Sequence, residues 1–302
     1  METLKGKVSW INILSPKEKD LLWLKKKYNF HPLIIDELRG PSARSKVEMN
    51  HKYLYLIYYF PIYDPIEKVS KRGEIDFLIT KKGVITVSYE KIEIFEDLVK
   101  TLNTNSRFFE DPLRLTHKLI ESLLIFQQRQ INHIREKIDG ISAELFRDRE
   151  KQRERELLER ISYIKRDIAQ YRTIVHPQRR ILDSFFKIGC DFLGGSSSQI
   201  YFNDLEGEFM KILDQLDGYR EAIEDFETTN NELINIKNAQ VVKTFTILAF
   251  LTFPMMLFAA LFSMNVKNTP IIGHDFDFWI ILGVMAVAMT GMYSYFRNKD
   301  WL

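Results

Sequence analysis

Between Thr244 and Met264 the chain runs for 21 residues, TFTILAFLTFPMMLFAALFSM, without a charged side chain. A helix of that length extends about 31 Å, the thickness of a bilayer's hydrocarbon core. A second uncharged run, Phe278 to Phe296, follows a short loop, and its Gly283, Ala286, Ala288 and Gly291 are small enough for close helix packing in lipid. Two adjacent runs of spanning length predict a membrane hairpin rather than the core helices of a soluble domain. Both lie far from METLKGKVSW at the start of the chain, where no apolar stretch of the signal-peptide kind occurs. Lys237 and Lys243 precede the first run and Arg297 and Lys299 follow the second, while the loop sets Lys267 against Asp275 and Asp277. That asymmetry predicts both termini on the cytoplasmic side, with Trp279, Tyr293, Tyr295 and Trp301 as interfacial anchors.

The rest of the chain is soluble in character. Its 43 Lys and Arg against 41 Asp and Glu leave a net charge of +2, too little excess to hold nucleic acid through its phosphates. The one cysteine, Cys190, cannot form an internal disulfide, and no Cys/His spacing matches a structural zinc site. Residues 1–112 read as an α/β domain. Tyr53–Phe60 is a dense aromatic and β-branched run, and Ile75–Thr80 and Val84–Tyr89 flank KKG as a hairpin. Lys17–Lys27 and Leu33–Leu38 read as helices, the first with Ser15 as N-cap and Pro16 at its first position.

Residues 113–203 predict a helical hairpin, broken near Gly140 and at 147–153 and reaching Pro177. RDREKQRERELLER mixes both signs, with Glu156 and Arg160 one turn apart, and reads as a solvated helix face. GGSSSQ, 194–199, is a flexible loop. From 204 to 243 a stalk helix is expected, with Phe209, Ile212, Leu216, Tyr219, Ile223, Phe226 and Leu233 near a 3.5-residue spacing. It continues into the first span, 244–264, and only Pro254 could break it. Asn230, Asn231, Asn235, Asn238 and Gln240 make the seam polar toward the membrane, which suits an aqueous vestibule and equally a register-setting seam. A loop at 265–277, the second span at 278–296 and a basic tail at 297–302 complete the division.

No catalytic constellation is present. His31, His51, His117, His133, His176 and His274 are scattered, none in HExxH, and no phosphate-binding glycine loop occurs. The chain is read as no enzyme and assigned no organic cofactor. Two helices from one chain cannot enclose a water-filled path, so conduction would require assembly around an axis.

Ser263-Met264-Asn265 ends the first span, and RNKDWL follows the second. With WINI (Trp10–Ile13), HPL (His31–Leu33), YEKI (Tyr89–Ile92), VHPQRRIL (Val175–Leu182) and YFND (Tyr201–Asp204) in order, the chain resembles the CorA family of magnesium and divalent-cation channels. The resemblance implies a funnel-shaped homopentamer in the plasma membrane. Each subunit would have an α+β cytoplasmic domain, an αβα sandwich with a long helical hairpin, then a stalk helix and two transmembrane helices. It implies a selectivity filter at Ser263, Met264 and Asn265, where the family has Gly-Met-Asn, with Asn265 ringing the outer mouth. It also carries the pore lining to Val242, Phe245, Phe253, Met256 and Ala260, and a regulatory Mg2+ site between subunits to Asp97 and Asp204. The implied activity is influx of Mg2+, with Co2+ and Ni2+ as further cargo, down the electrochemical gradient and gated by intracellular Mg2+. The chain departs from the family at Ser263 for Gly, Met256 for Thr and Ala260 for Gly, and has Thr228 beside Glu227 where the family has a ring of Asp. A zinc-transporting member of the superfamily and a non-conducting membrane-anchored sensor or scaffold are the alternatives.

Overall fold

The computed structural model describes residues 2–104, 109–145, 151–194, 198–264 and 276–299. The chain divides into two compact units, Met1–Glu227 and Thr228–Leu302.

The first unit is built on a six-stranded sheet: β1 (Glu2–Lys5), β2 (Ser9–Leu14), β3 (Lys46–Met49), β4 (Tyr53–Asp64), β5 (Val69–Thr80) and β6 (Gly83–Ser88), in the order β1-β2-β6-β5-β4-β3. β4 is buried through its first nine residues, which is why it reads as an unbroken apolar run: a strand covered on both faces needs no polar alternation. β4 and β5 pair antiparallel from Tyr53↔Thr80 to Asp64↔Val69. Their turn is held by Asp64, whose carboxylate accepts the N–H groups of Ile66 and Glu67 at 2.8 and 3.1 Å. The KKG hairpin forms between β5 and β6, with the Thr80 hydroxyl donating to Gly83 O at 2.9 Å. β6 then pairs parallel with β2, the one parallel pairing in the sheet.

Helices cover both faces. On one lie α1 (Glu18–Tyr28) and α2 (Pro32–Glu37), whose Leu21, Leu24, Ile34 and Ile35 share a core with Ile11, Ile13, Tyr55, Ile57, Ile85 and Val87. The opposite face carries α3 (Glu93–Thr104), α4 (Pro112–Leu145) and α5 (Lys151–Val175). There Trp10 meets Phe95 edge to face, Phe60 meets Phe126, and Gln127 donates to Tyr58 Oη at 3.0 Å while its carbonyl accepts from Tyr171. α6 (Gln178–Leu193) is tied to β4 by Gln178, whose Oε1 accepts from Tyr59 N at 3.3 Å. The layering is the expected αβα arrangement.

Two local expectations are corrected. Ser15 does not cap α1: it sits at φ 46°, its N–H donates to Ser88 O and its hydroxyl to Tyr89 O, so it closes the end of β2 against β6. The cap position falls on Lys17, whose N–H donates to the Asp20 carboxylate at 3.0 Å. Gly140 does not break α4, because buried Ile138 and Ile141 on either side hold the helix against its neighbours and packing outweighs the low helix propensity of glycine. The break expected at 147–153 falls largely on residues outside the described ones; α5 begins at Lys151.

α7 begins at Gln199, before Asp204, and runs without interruption through Pro254 to Ser263. In the second unit it is followed by α8 (Asp277–Asn298), and both helices are long and apolar enough to cross a membrane.

Candidate pore face and metal-binding positions

Within the second unit, the residues proposed to line a pore fall on one side of α7. At about 100° per residue, Val242, Phe245, Phe253, Met256 and Ala260 lie within a sector of about 80°. Ser263 falls in the same sector, and so do Asn231, Asn235 and Asn238 toward the start of the unit. All five lining positions are exposed, Phe253 at 67% and Met256 at 64%. Apart from Thr246, which adjoins the stripe, the less exposed positions of the span, Ile247, Leu251, Pro254, Met255 and Phe262, fall on the other side of the helix. Phe250 meets Phe296 of α8 at 6.4 Å between ring centroids. One stripe of α7, polar at one end and apolar at the other, is exposed along its length, as are Leu248, Leu257 and Phe258 on other faces of the span.

Asn230 and Gln240 lie off this stripe, and Asn230 is buried. Ala249, one turn from both Phe245 and Phe253, belongs on it; the plain i,i+4 spacing would have found it. Ser263 is the last residue of α7, and the Met264 N–H donates to Leu261 O at 3.3 Å as the helix ends. Asn265 lies outside the described residues.

The two proposed regulatory carboxylates are presented by the first unit. In α3, Ile94, Phe95 and Leu98 turn into the core, which leaves Asp97 outward, 3.3 Å from Lys100 Nζ. In YFND, Phe202 and Leu205 are buried one turn apart, Phe202 stacking on Phe186, so Asp204 points outward. Its Oδ2 lies 3.0 Å from His117 Nε2, and the His117 ring rests edge-on against Tyr201. Each carboxylate therefore has a partner within its own chain and an exposed side. Among the described residues, no group of three or more His, Cys, Asp or Glu is arranged to hold a metal ion.

The sequence profile of the CorA-like Mg2+ transporter protein family matches residues 5–298. The chain belongs to the CorA-like Mg2+ transporter family. Membership makes it a divalent-cation transporter of the membrane, a class distinct from enzymes. Among CorA relatives, the cobalt/magnesium transport protein of Thermotoga maritima is 23% identical over 297 residues, covering 97% of this chain and 83% of that protein. The fold matches the complete structure of the CorA magnesium transporter from Methanocaldococcus jannaschii with a TM-score of 0.83 at 18% identity, covering 100% of this chain and 94% of that one. The cytoplasmic domain of ZntB from Vibrio parahaemolyticus aligns with a TM-score of 0.57 at 13% identity, covering 76% of this chain and 89% of that domain.

Proposed function

We propose that the chain is one subunit of a CorA-type channel, a homopentameric funnel that passes Mg2+, with Co2+ and Ni2+ as further cargo, into the cytoplasm. The observation that carries this reading is the stripe of α7 on which Asn231, Asn235, Asn238, Val242, Phe245, Phe253, Met256, Ala260 and Ser263 fall together, polar at one end and apolar at the other. Packed around an axis, five copies of it would enclose a path that begins at Ser263, Met264 and Asn265, runs past Phe253 and Met256, and opens among Asn238, Asn235 and Asn231. Mg2+ gives up its water shell reluctantly, and the neutral amide of Asn265 accepts hydrogen bonds from that shell without trapping the ion. Below it, an apolar constriction at Phe245, Phe253, Met256 and Ala260 closes by dewetting. The membrane potential supplies about 4.6 kcal/mol per 100 mV for a divalent ion.

Asp97 and Asp204 are read as the regulatory pair, one from each of two neighbouring subunits. Bringing two carboxylates together costs repulsion that a bound Mg2+ relieves, so ion occupancy holds the closed assembly and its loss releases it. Both termini are placed in the cytoplasm. The test is Mg2+ influx into proteoliposomes under an applied potential, with Asn265→Ala beside the unaltered protein. Flux that disappears in the variant supports a channel with Asn265 at its filter. A folded oligomer without flux overturns the reading in favour of a sensor or scaffold, and Zn2+ flux indifferent to Mg2+ overturns it in favour of zinc transport, to which the ZntB likeness contributes fold alone.

A further inference from the structure

Where the α5–α6 junction meets β4, β5 and the segment before β3, the first unit has an open cavity of about 570 Å3. Three cations line it, Arg44, Lys71 and Arg72, and no carboxylate does. We propose that this cavity binds a phosphorylated small molecule of nucleotide size, independently of the ion pathway proposed above.

Arg44 comes from the segment before β3, whereas Lys71 and Arg72 are consecutive on β5 and leave opposite faces of the strand, Arg72 toward Tyr59 and Lys71 toward Asp64. Arg72 lies flat over the Tyr59 ring, its guanidinium 4.5 Å from the ring centroid, which fixes the group while leaving its edge donors available. Tyr59 is itself anchored, its hydroxyl donating to Ser42 O at 2.7 Å. Lys71 reaches Asp64 at 2.5 Å and remains 57% exposed. Arg44 is exposed and makes no ion pair among the described residues. Asp64 pairs with Lys71 through Oδ2 while its Oδ1 holds the turn, Glu74 lies near Arg72 and accepts from Ser42 N–H, and Arg44 also borders a neighbouring cavity lined by Asp36, Glu37 and Glu48. Two arginines beside one cleft, Arg44 and Arg72, raise its local potential, and a polyanion with oxygens to share between them relieves it.

Two further features match the same ligand class, both beside the junction of α5 and α6 at Pro177 and Gln178. Gln178 is 1% exposed and donates to Ser45 Oγ at 3.3 Å, so the Ser45 hydroxyl keeps its own hydrogen for a ligand at the rim. Val69 and Ile174 make part of the wall apolar and offer a surface for an uncharged ring system. A cavity of this volume is within the usual range for small-ligand sites. Inorganic phosphate would satisfy the cations and leave that wall empty, whereas a nucleoside polyphosphate would occupy both.

The test uses the full chain in detergent, with EDTA present so that divalent-ion binding plays no part, and labelled ATP as the probe in equilibrium dialysis. The expected result is saturable binding, weakened about tenfold by Arg44→Ala and by Arg72→Ala, since each removes a charge-assisted contact, and little changed by Lys211→Ala on α7. Arg44→Lys should recover part of the loss, and an unchanged tryptophan emission spectrum would report that each variant is folded. Absence of saturable binding, or affinity unaffected by either arginine variant, overturns the proposal. Inorganic phosphate competing as well as ATP also overturns it, because the apolar wall would then contribute nothing.

Discussion

The Tyr89 hydroxyl donates to Asp76 Oδ2 at 3.3 Å, across the face of the sheet where Asp76 is fully buried. Ile57 and Val87 flank Asp76 on the neighbouring strands, and Glu74 sits two residues away on the same face. Burial holds the Asp76 carboxyl well above the usual carboxylate range, and the charge of Glu74 pushes it further. Glu74 is raised as well, chiefly by its own burial.

Stability of the first unit should therefore fall as pH rises from the ordinary carboxylate range. In that window the unfolded chain has released the Asp76 proton and the folded chain still holds it, so each further pH unit favours unfolding until the folded group ionises as well. The slope from one such group is at most about 1.4 kcal/mol per pH unit. Asp76→Asn, which keeps the shape and cannot ionise, should flatten it. Denaturant unfolding followed by tryptophan fluorescence between pH 5 and pH 8, an interval centred on the neutral range, checks this. Equal slopes in the two proteins would exclude Asp76 as the source.

Trp10 Nε1 donates to Thr86 Oγ1 at 2.9 Å, and that hydroxyl donates to Asn12 Oδ1 at 2.9 Å, a relay that joins β2 to β6. Thr86→Val should cost about 1–3 kcal/mol, because it leaves a buried indole N–H without an acceptor while changing little volume. Thermal melts would show the loss, and Thr86→Ser should restore most of it.

Gly83 opens β6 directly against β2. A Cβ there would stand 2.1 Å from the Ser9 carbonyl oxygen, an approach only backbone movement could relieve. Gly83→Ala should destabilise the unit by at least about 2 kcal/mol, since it opposes the parallel pairing itself. Hydrogen exchange in β2 should rise with it, and unaltered protection would refute the account.

If the stripe of α7 lines the pore, cysteines placed on it should react with a water-soluble thiol reagent and block flux. In a Cys190→Ser background, Phe253→Cys, Met256→Cys and Ala249→Cys should be modified severalfold faster than Ile247→Cys or Leu251→Cys, which lie on the other side. A uniform rate around the helix would remove the stripe as the conduction face.

Loss of regulation should separate from loss of conduction. With millimolar Mg2+ inside the vesicles the unaltered protein should be closed, whereas Asp204→Asn or Asp97→Asn should keep conducting. Identical inhibition in all three would place the sensor elsewhere.

How much was legible beforehand follows from the range of each interaction. The charge-free runs of Thr244–Met264 and Phe278–Phe296 announce their helices because burial in lipid acts on every residue of a segment in the same way. The hairpin around Lys81-Lys82-Gly83 was readable because a two-residue turn is set by neighbours in sequence. Ser15 misled, since its hydroxyl had a distant claimant in Tyr89 that local capping rules do not see. Gly140 misled in the same manner, its weak propensity overruled by Ile138 and Ile141 in the core.

The candidate site shows the same division. The resemblance to the CorA family singled out Val242, Phe245, Phe253, Met256 and Ala260, and a helix repeating every 3.6 residues puts them on one face whatever surrounds it. Which positions of the span are less exposed, Ile247 and Leu251 among them, depended on packing in the fold. The buried acid at Asp76, the parallel joining of β2 to β6 and the meeting of Arg44 and Arg72 at one cleft were decided by the tertiary structure. Local pattern sets which segments are helix, strand or membrane span; which distant residues then meet depends on packing that no short window contains.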